Sequence, residues 1–198
     1  MSHGANTVHG ASRPDTIVNF GFWVYLMSDV ILFSMLFTMF VVVSDNTFGG
    51  PGGEELFKLR DVFFETMALL FSSITFGFAM LSMHAKHKGG VLLWLLVTFI
   101  FGVLFITLEL HEFYELVHEG ATPQASAFLS AFFTLVGTHG THVSFGLLWI
   151  LVMVGQVALK GVTPPVASRL FRLALFWHFL DIVWIAVFST VYLSGVMG

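Results

Sequence analysis

Five long apolar stretches run along this chain of 198 residues, and short polar segments separate them. An α-helix needs about 20 apolar residues to cross the hydrocarbon core of a bilayer, and each stretch is long enough. The alternating pattern of a membrane β-barrel is not visible in the sequence. The pattern therefore predicts an all-α integral membrane bundle of five transmembrane helices, at about residues 20–43, 62–83, 91–110, 126–159 and 169–195.

The segments between these stretches have the composition of loops, because they are short and rich in Gly, Pro or polar residues. They lie at residues 46–53, 86–90, 120–124 and 161–165. Residues 1–19 are polar, which predicts an N-terminal segment outside the bilayer before one membrane domain over residues 20–198. As a helix, the fourth stretch would be about 50 Å long against a core of roughly 30 Å, so it must tilt or emerge from the membrane.

Composition supports a bilayer as the solvent of this chain. Hydrophobic residues make up 57% of the sequence and charged residues 10%, whereas soluble domains carry about 25% charged residues. The net charge of -4 gives no indication of nucleic-acid binding. The chain has no cysteine, which excludes disulfides, thiolate nucleophiles, Cys-ligated zinc, iron–sulfur clusters and c-type haem attachment.

Basic residues are distributed unevenly between the two sides of the predicted bundle. The side with the N-terminus and the second and fourth loops carries six: Arg13, Lys86, Lys88, Lys160, Arg169 and Arg172. The opposite side carries two: Lys58 and Arg60. Because basic residues favour the cytoplasmic side of a membrane, the sequence predicts a cytoplasmic N-terminus and a periplasmic C-terminus.

Ionisable side chains occur inside the predicted spans, where each costs about 2.5–3.5 kcal/mol on insertion scales. The candidate site residues are Asp29, Glu65, Glu109, His139, His142, His178 and Asp181. In each of the fourth and fifth helices two of them are three residues apart, which places them on one helix face. We therefore expect the helices to pack together and present these groups to protein or to lipid headgroups. By contrast, the spacing of Glu112, Glu115 and Glu119 indicates one solvated face of a helix end.

From the residues alone, three roles remain open for the deep histidines and carboxyl groups: polar packing between helices, ligation of a redox metal, and proton movement. They correspond to a packing subunit of a larger complex, a haem-binding electron carrier, and a small proton-coupled transporter. No metal-ligand motif is visible in the spacing of His139, His142 and His178. All five prolines lie outside the predicted spans, so the matched helix breaks of many transporters are not indicated.

Four segments resemble subunit III of the haem-copper oxidase superfamily, in the short five-helix form found in cytochrome o ubiquinol oxidases. They read GFWVYLMSD at 21–29, ETMALLFSSITFG at 65–77, FLSAFFTLVGTHGTHV at 128–143 and FWHFLDIVWIAVFSTVYL at 176–193. The third helix is similar through LELHEFYEL at 108–116. The segments occur in the order and at the spacing of that family, and THGTHV together with WHFLDIVW is specific to it.

The resemblance implies a non-catalytic subunit of a proton-pumping quinol oxidase in a bacterial inner membrane, which oxidises ubiquinol and reduces oxygen to water. It implies no cofactor in this chain, with haems and copper in subunit I, against which this subunit packs. Other oxidase subunits and membrane phospholipids are the further partners that it implies. Asp29 matches an intramembrane carboxyl position of the family. Subunit III of a cytochrome c oxidase and a small proton-coupled transporter are the alternatives.

Overall fold

A computed structural model describes residues 13–44 and 59–193, and over these residues the chain is entirely helical apart from short turns. The helices are α1 (Arg13–Val43), α2 (Leu59–His84), α3 (Lys88–His118), α4 (Ala127–Lys160) and α5 (Pro164–Val187), and a π-helical segment, Phe188–Leu193, continues α5. All five are long and apolar enough to cross a membrane. The predicted all-α bundle of five spanning helices is therefore confirmed.

Several helices extend beyond the apolar stretches that predict them. α1 begins at Arg13 rather than near residue 20, and α3 continues to His118. α5 begins at Pro164, so the two prolines of the fourth loop belong to its first turn, and the expectation that all prolines lie outside the spans is wrong there. The first helical position needs no backbone N–H, and proline is therefore well tolerated at it. The predicted loop at 46–53 lies outside the described residues.

Helices α2 to α5 each pack against the next helix in sequence, and contacts between α1 and α4 and between α2 and α5 complete the bundle. A tight turn at residues 85–87 joins α2 to α3, and the two helices pack side by side along their length. α4 packs against α1, α3 and α5, and α5 closes the bundle by packing against α2. α1 lies at the edge, with most of its side chains exposed to the surroundings of the bundle. Three helices thus surround α4, which explains how polar groups deep in α4 are covered.

The indole of Trp177 in α5 lies at a junction of four helices. It is 1% exposed, and its Nε1–H donates a hydrogen bond of 3.0 Å to Ser72 Oγ in α2. Its ring lies against Gly102 of α3 on one side and Gly146 of α4 on another, where added Cβ atoms would approach ring carbons at 3.0 Å and 2.8 Å. Small residues in membrane helices allow such close approach. The two glycines therefore provide the space in which α5 packs against α3 and α4.

Candidate functional site

The predicted site residues fall into four separate environments rather than one site. We define the His178 cluster as Ser73, His178 and Asp181, and the Asp29 pair as Asp29 with His142. The carboxyl cluster comprises Glu65, Glu109, Glu112 and Tyr192. His139 stands apart from these three groups, among aromatic rings. The His178 cluster and the Asp29 pair each lie between two helices, whereas the carboxyl cluster and His139 each involve three or more helical elements.

The His178 cluster lies half-way along the bundle on the contact between α2 and α5. Ser73 Oγ lies 2.8 Å from His178 Nδ1, and Asp181 Oδ2 lies 3.4 Å from the same nitrogen. The side chain of His178 is 44% exposed, whereas that of Asp181 is 8% exposed. His178 is 14 residues from the start of its span at Pro164 (178 − 164) and 15 from the end at Leu193 (193 − 178). An imidazole is therefore presented to the surroundings of the bundle at mid-membrane depth.

The Asp29 pair bridges α1 and α4 at a similar depth. His142 Nε2 lies 3.8 Å from Asp29 Oδ1, and His142 Nδ1 lies 2.8 Å from the backbone carbonyl of Thr138 in its own helix. Asp29 Oδ2 is buried and has no hydrogen-bond partner in the described part of the chain. Asp29 is thus enclosed between α1 and α4, and its pairing with His142 is one polar contact between the peripheral α1 and the bundle.

His139 is fully buried in a cage of aromatic rings. Its ring centroid lies 5.2 Å from that of Trp184, 5.8 Å from that of Phe105 and 6.4 Å from that of Phe33. The Phe105 ring is perpendicular to the imidazole, a geometry in which an N–H can point at a π face. Neither ring nitrogen has a hydrogen-bond partner among the described residues. His139 therefore packs as an aromatic residue among these rings.

The carboxyl cluster lies at the end of the bundle where α2 begins and α3 ends. Glu65 and Glu109 are 1% and 3% exposed, and one oxygen of each lacks a hydrogen-bond partner in the described regions. The Tyr192 hydroxyl donates a hydrogen bond of 2.8 Å to Glu112 Oε2. The Glu109 carboxyl occupies the space that Gly140 leaves open, because an added Cβ there would lie 2.8 Å from Glu109 Cδ.

The expectation that Glu112, Glu115 and Glu119 form one solvated face is wrong for Glu112, because its side chain is partly buried and bonded to Tyr192. The fifth helix continues past the last deep charge and brings a buried tyrosine back to α3. Only the three-dimensional arrangement reveals this contact. In the sequence, this contact is indicated only by the presence of Tyr192 near the end of an apolar stretch. A tyrosine at such a position is equally typical of the membrane interface.

The opposite end of the bundle carries basic side chains that tie helix termini together. Lys88 Nζ, at the start of α3, donates a hydrogen bond of 2.9 Å to the backbone carbonyl of Ala158 near the end of α4. A cation at a helix C-terminus also interacts favourably with the helix dipole. Arg172 donates to Asn19 Oδ1 at 3.0 Å, which links α5 to α1. The two ends of the bundle thus differ in charge, one basic and one acidic.

Within residues 13–44 and 59–193, no three His, Asp or Glu side chains are arranged to hold a metal ion. The carboxyl and imidazole groups of the candidate residues occur in small sets in separate environments. What the arrangement supports is polar packing between helices and an outward-facing polar contact at His178.

The family model and the relatives that this chain matches are all described as subunit III, or subunit 3, of an oxidase. Residues 4–196 match the family model of cytochrome c oxidase subunit III. The chain is 55% identical to the cytochrome bo(3) ubiquinol oxidase subunit 3 of Pseudomonas putida, over 89% of this chain and 86% of that protein. It is 44% identical to the quinol oxidase subunit 3 of Bacillus subtilis (90% and 87%) and 45% identical to the cytochrome c oxidase subunit 3 of Bacillus sp. strain PS3 (90% and 86%).

Proposed function

The chain belongs to the cytochrome c oxidase subunit III family, and we propose that it is the subunit III of a bacterial terminal oxidase that takes its electrons from ubiquinol. The identity of 55% to a ubiquinol oxidase subunit supports this donor, against 45% to a cytochrome c oxidase subunit. The complex oxidises ubiquinol, reduces oxygen to water and pumps protons. The donor is tested by oxygen consumption of the purified complex with ubiquinol and with reduced cytochrome c.

Within that complex, the subunit supports assembly, stability and sustained proton uptake without carrying a chemical step. Subunit I holds the haems and copper and is its main contact. The separation of Asp29, Glu65 and His178 into different environments supports this division of roles, since a proton path across the membrane needs a continuous chain of groups.

The observation that carries the proposal is the exposure of the His178 side chain near the middle of its span. Polar groups in contact with hydrocarbon are costly, and in membrane proteins they almost always face other protein or water. The side chain of His178 is 44% exposed, and its contacts with Ser73 and Asp181 both use Nδ1. The Nε2 side of the ring is therefore available to a neighbouring subunit. We assign this surface of α2 and α5 to the contact with another oxidase subunit.

The test is co-purification of a tagged chain carrying His178→Leu. Leucine suits a surface that faces lipid, so on that alternative the variant assembles as well as the wild type. If a partner subunit forms a hydrogen bond with the His178 imidazole, the leucine variant leaves the partner's polar group without that bond. The yield of haem- and copper-containing partner chains then falls about fivefold or more. His84→Leu is the control, because His84 is exposed at the end of α2 and its hydrogen bond among the described residues is to Met80 of its own helix.

The orientation in the membrane follows from the charge difference between the two ends. We propose that the basic end, which includes Lys88 and Arg172, faces the cytoplasm of the bacterium, and that the acidic end faces the periplasm. The N-terminus is then cytoplasmic and the C-terminus periplasmic, in the inner membrane. The hydrogen bonds of these basic side chains to Ala158 and Asn19 support a fixed basic layer at that end.

A further inference from the structure

A cleft of about 510 Å³ opens between α2 and α3 at the acidic end of the bundle, outside the contacts assigned above. Phe71 and Leu104 line it and are half-exposed, so the cleft opens sideways on the outer surface of the bundle. Protein interfaces commonly seat a few anchor side chains in pockets, and arginine is prominent among such anchors. The mainly apolar walls include Met67, Ala68, Phe71, Phe101 and Leu104.

Glu65 lines the cleft with a carboxyl oxygen that has no partner. The residue is buried, and its Oε2 has no hydrogen-bond partner in the described part of the chain. The nearby Glu112 accepts the hydroxyl hydrogen of Tyr192 through its own Oε2 and supplies no donor to Glu65. Burial of a polar atom without a partner is unfavourable. A hydrogen-bond donor brought to this wall by a neighbouring molecule would remove that deficit.

The carboxyl groups of the cleft outnumber the basic groups that contact them. Asp61 Oδ1 lies 3.9 Å from Arg60 Nε, and Glu115 Oε1 lies 3.6 Å from His111 Nε2. Neither contact involves Glu65, and among the described residues no Lys or Arg lines the cleft. The excess of negative charge attracts a cationic group and repels an anionic one. The carboxyl groups that line the cleft are those of Asp61, Glu65, Glu112, Glu115 and Glu119.

The acidic and aromatic walls of the cleft are separated along the helix axis. Phe71 follows Glu65 by six residues in α2 (71 − 65), or about 9 Å. On a neighbouring helix, two residues that are seven apart lie on one face at a separation of about 10.5 Å. A basic residue near the acidic end of such a helix would reach Glu65, and a large apolar residue seven positions deeper would reach Phe71 and Phe101. The long side chains of Arg and Lys suit this cleft, because their apolar stems can lie on its apolar walls.

The cleft adjoins the surface that contains the His178 cluster. Ser73 of that cluster follows Phe71 by two residues in α2, so their side chains point about 160° apart around the helix. Ile74 and Phe78 point between these two directions and are half-exposed. One exposed apolar face of α2 therefore connects the cleft with the surface that is assigned above to another oxidase subunit.

We propose that this cleft is a docking site for a membrane helix of another oxidase subunit. One Arg or Lys of that helix bonds to Glu65, and a large apolar side chain about seven residues deeper packs against Phe71 and Phe101. The proposal rests on the proposed function, because the partner is a chain of the oxidase complex. It adds a second contact at the acidic end of the bundle and specifies the side chains that the partner brings to it.

The first test replaces Leu104 by photoactivatable benzoylphenylalanine in the assembled oxidase complex. We expect irradiation to cross-link this position to a membrane helix of another oxidase subunit that carries an Arg or Lys near its acidic-end terminus. The control is the same replacement at Leu110, which is exposed on α3 but does not line the cleft. Cross-links to lipid or detergent only, to a helix without such a basic residue, or equally to the same helix from Leu110 would overturn the proposal.

The second test measures the dissociation constant of this chain from the rest of the complex by dilution in detergent. Glu65→Gln keeps the shape of the side chain and removes its charge, so we expect the dissociation constant to rise about tenfold, the size of one hydrogen bond to a charged group. Glu109→Gln is the matched control, because Glu109 also has an unpaired buried oxygen but does not line the cleft. An unchanged dissociation constant in Glu65→Gln contradicts the assignment.

A double-mutant cycle separates loss of the ion pair from a general disturbance of the fold. Replacing the cross-linked basic residue of the partner by methionine should weaken binding in the wild-type chain and have little further effect in Glu65→Gln. Additive losses would show that the two residues do not interact and would overturn the proposal.

The outcome is separable from that of the proposed function. If haem- and copper-containing chains fail to co-purify with this chain, the proposed function fails. If they co-purify but the probe at Leu104 captures no helix with a basic residue, only the docking site fails.

Discussion

Replacing Gly146 by alanine is expected to destabilise the bundle, although alanine favours helices. The added Cβ would lie 2.8 Å from Trp177 Cζ3 and 3.0 Å from Cε3, whereas carbon atoms in contact are about 3.5–4.0 Å apart. The ring cannot move away easily, because Gly102 of α3 lies against it elsewhere and Ser72 holds its Nε1–H. The substitution therefore overpacks the junction of four helices.

The expected magnitude follows from three terms. Overpacking of a dense core costs about 1–3 kcal/mol. A displaced indole also weakens its hydrogen bond to Ser72, worth about 0.5–1.5 kcal/mol. Replacement of Gly by Ala in a helix offsets up to about 1 kcal/mol. The net loss in the free energy of unfolding for Gly146→Ala is therefore about 0.5–4.5 kcal/mol.

The matched control is Gly155→Ala, in the same helix. No atom lies within 4 Å of a Cβ added at Gly155, so that variant is expected to be neutral or more stable by up to about 1 kcal/mol. Unfolding of the purified chain in mixed micelles by a denaturing detergent, followed by helical circular dichroism, measures both. Equal stability of the two variants, or a more stable Gly146→Ala, would refute the packing argument.

Three further outcomes are expected. Trp184→Phe should lower the free energy of unfolding by about 1–3 kcal/mol in the same assay, because it leaves the buried Thr66 Oγ1 without its indole donor at 3.1 Å; a neutral result contradicts this contact. Ser126→Ala should lower the free energy of unfolding by about 0.5–2 kcal/mol, because it removes the N-cap of α4. An unchanged unfolding midpoint would contradict this stabilising role of the N-cap. In this cysteine-free chain, an impermeant thiol reagent outside intact cells should label cysteine at Thr122 and not at Lys88; the reverse pattern inverts the topology.

The hydrophobic pattern was sufficient to predict the fold class, because the bilayer fixes both the length and the polarity of a spanning helix. It did not predict helix ends. α1 begins before its apolar stretch and α3 continues past its own, since a helix persists into the interfacial layer while its backbone groups remain bonded. Pro164 starts α5 although proline usually suggests a break.

The candidate site was predictable only in part. Charge inside an apolar stretch identified Asp29 and Asp181 as enclosed groups, and the three-residue spacing predicted the contact of His178 with Asp181. Spacing within one helix cannot reveal partners on another helix. Ser73, which contacts His178, and Tyr192, which bonds to Glu112, therefore emerge only from the structure.

The most direct test of the central claim compares the oxidase with and without this subunit. Initial oxygen consumption with ubiquinol is measured by stopped flow, and the haem and copper contents of both preparations are determined. We expect similar initial rates per haem and a faster decline of activity over successive turnovers in the complex that lacks the subunit. Loss of the initial rate, with haems and copper intact in subunit I, would show that this chain carries an essential step and would contradict the account.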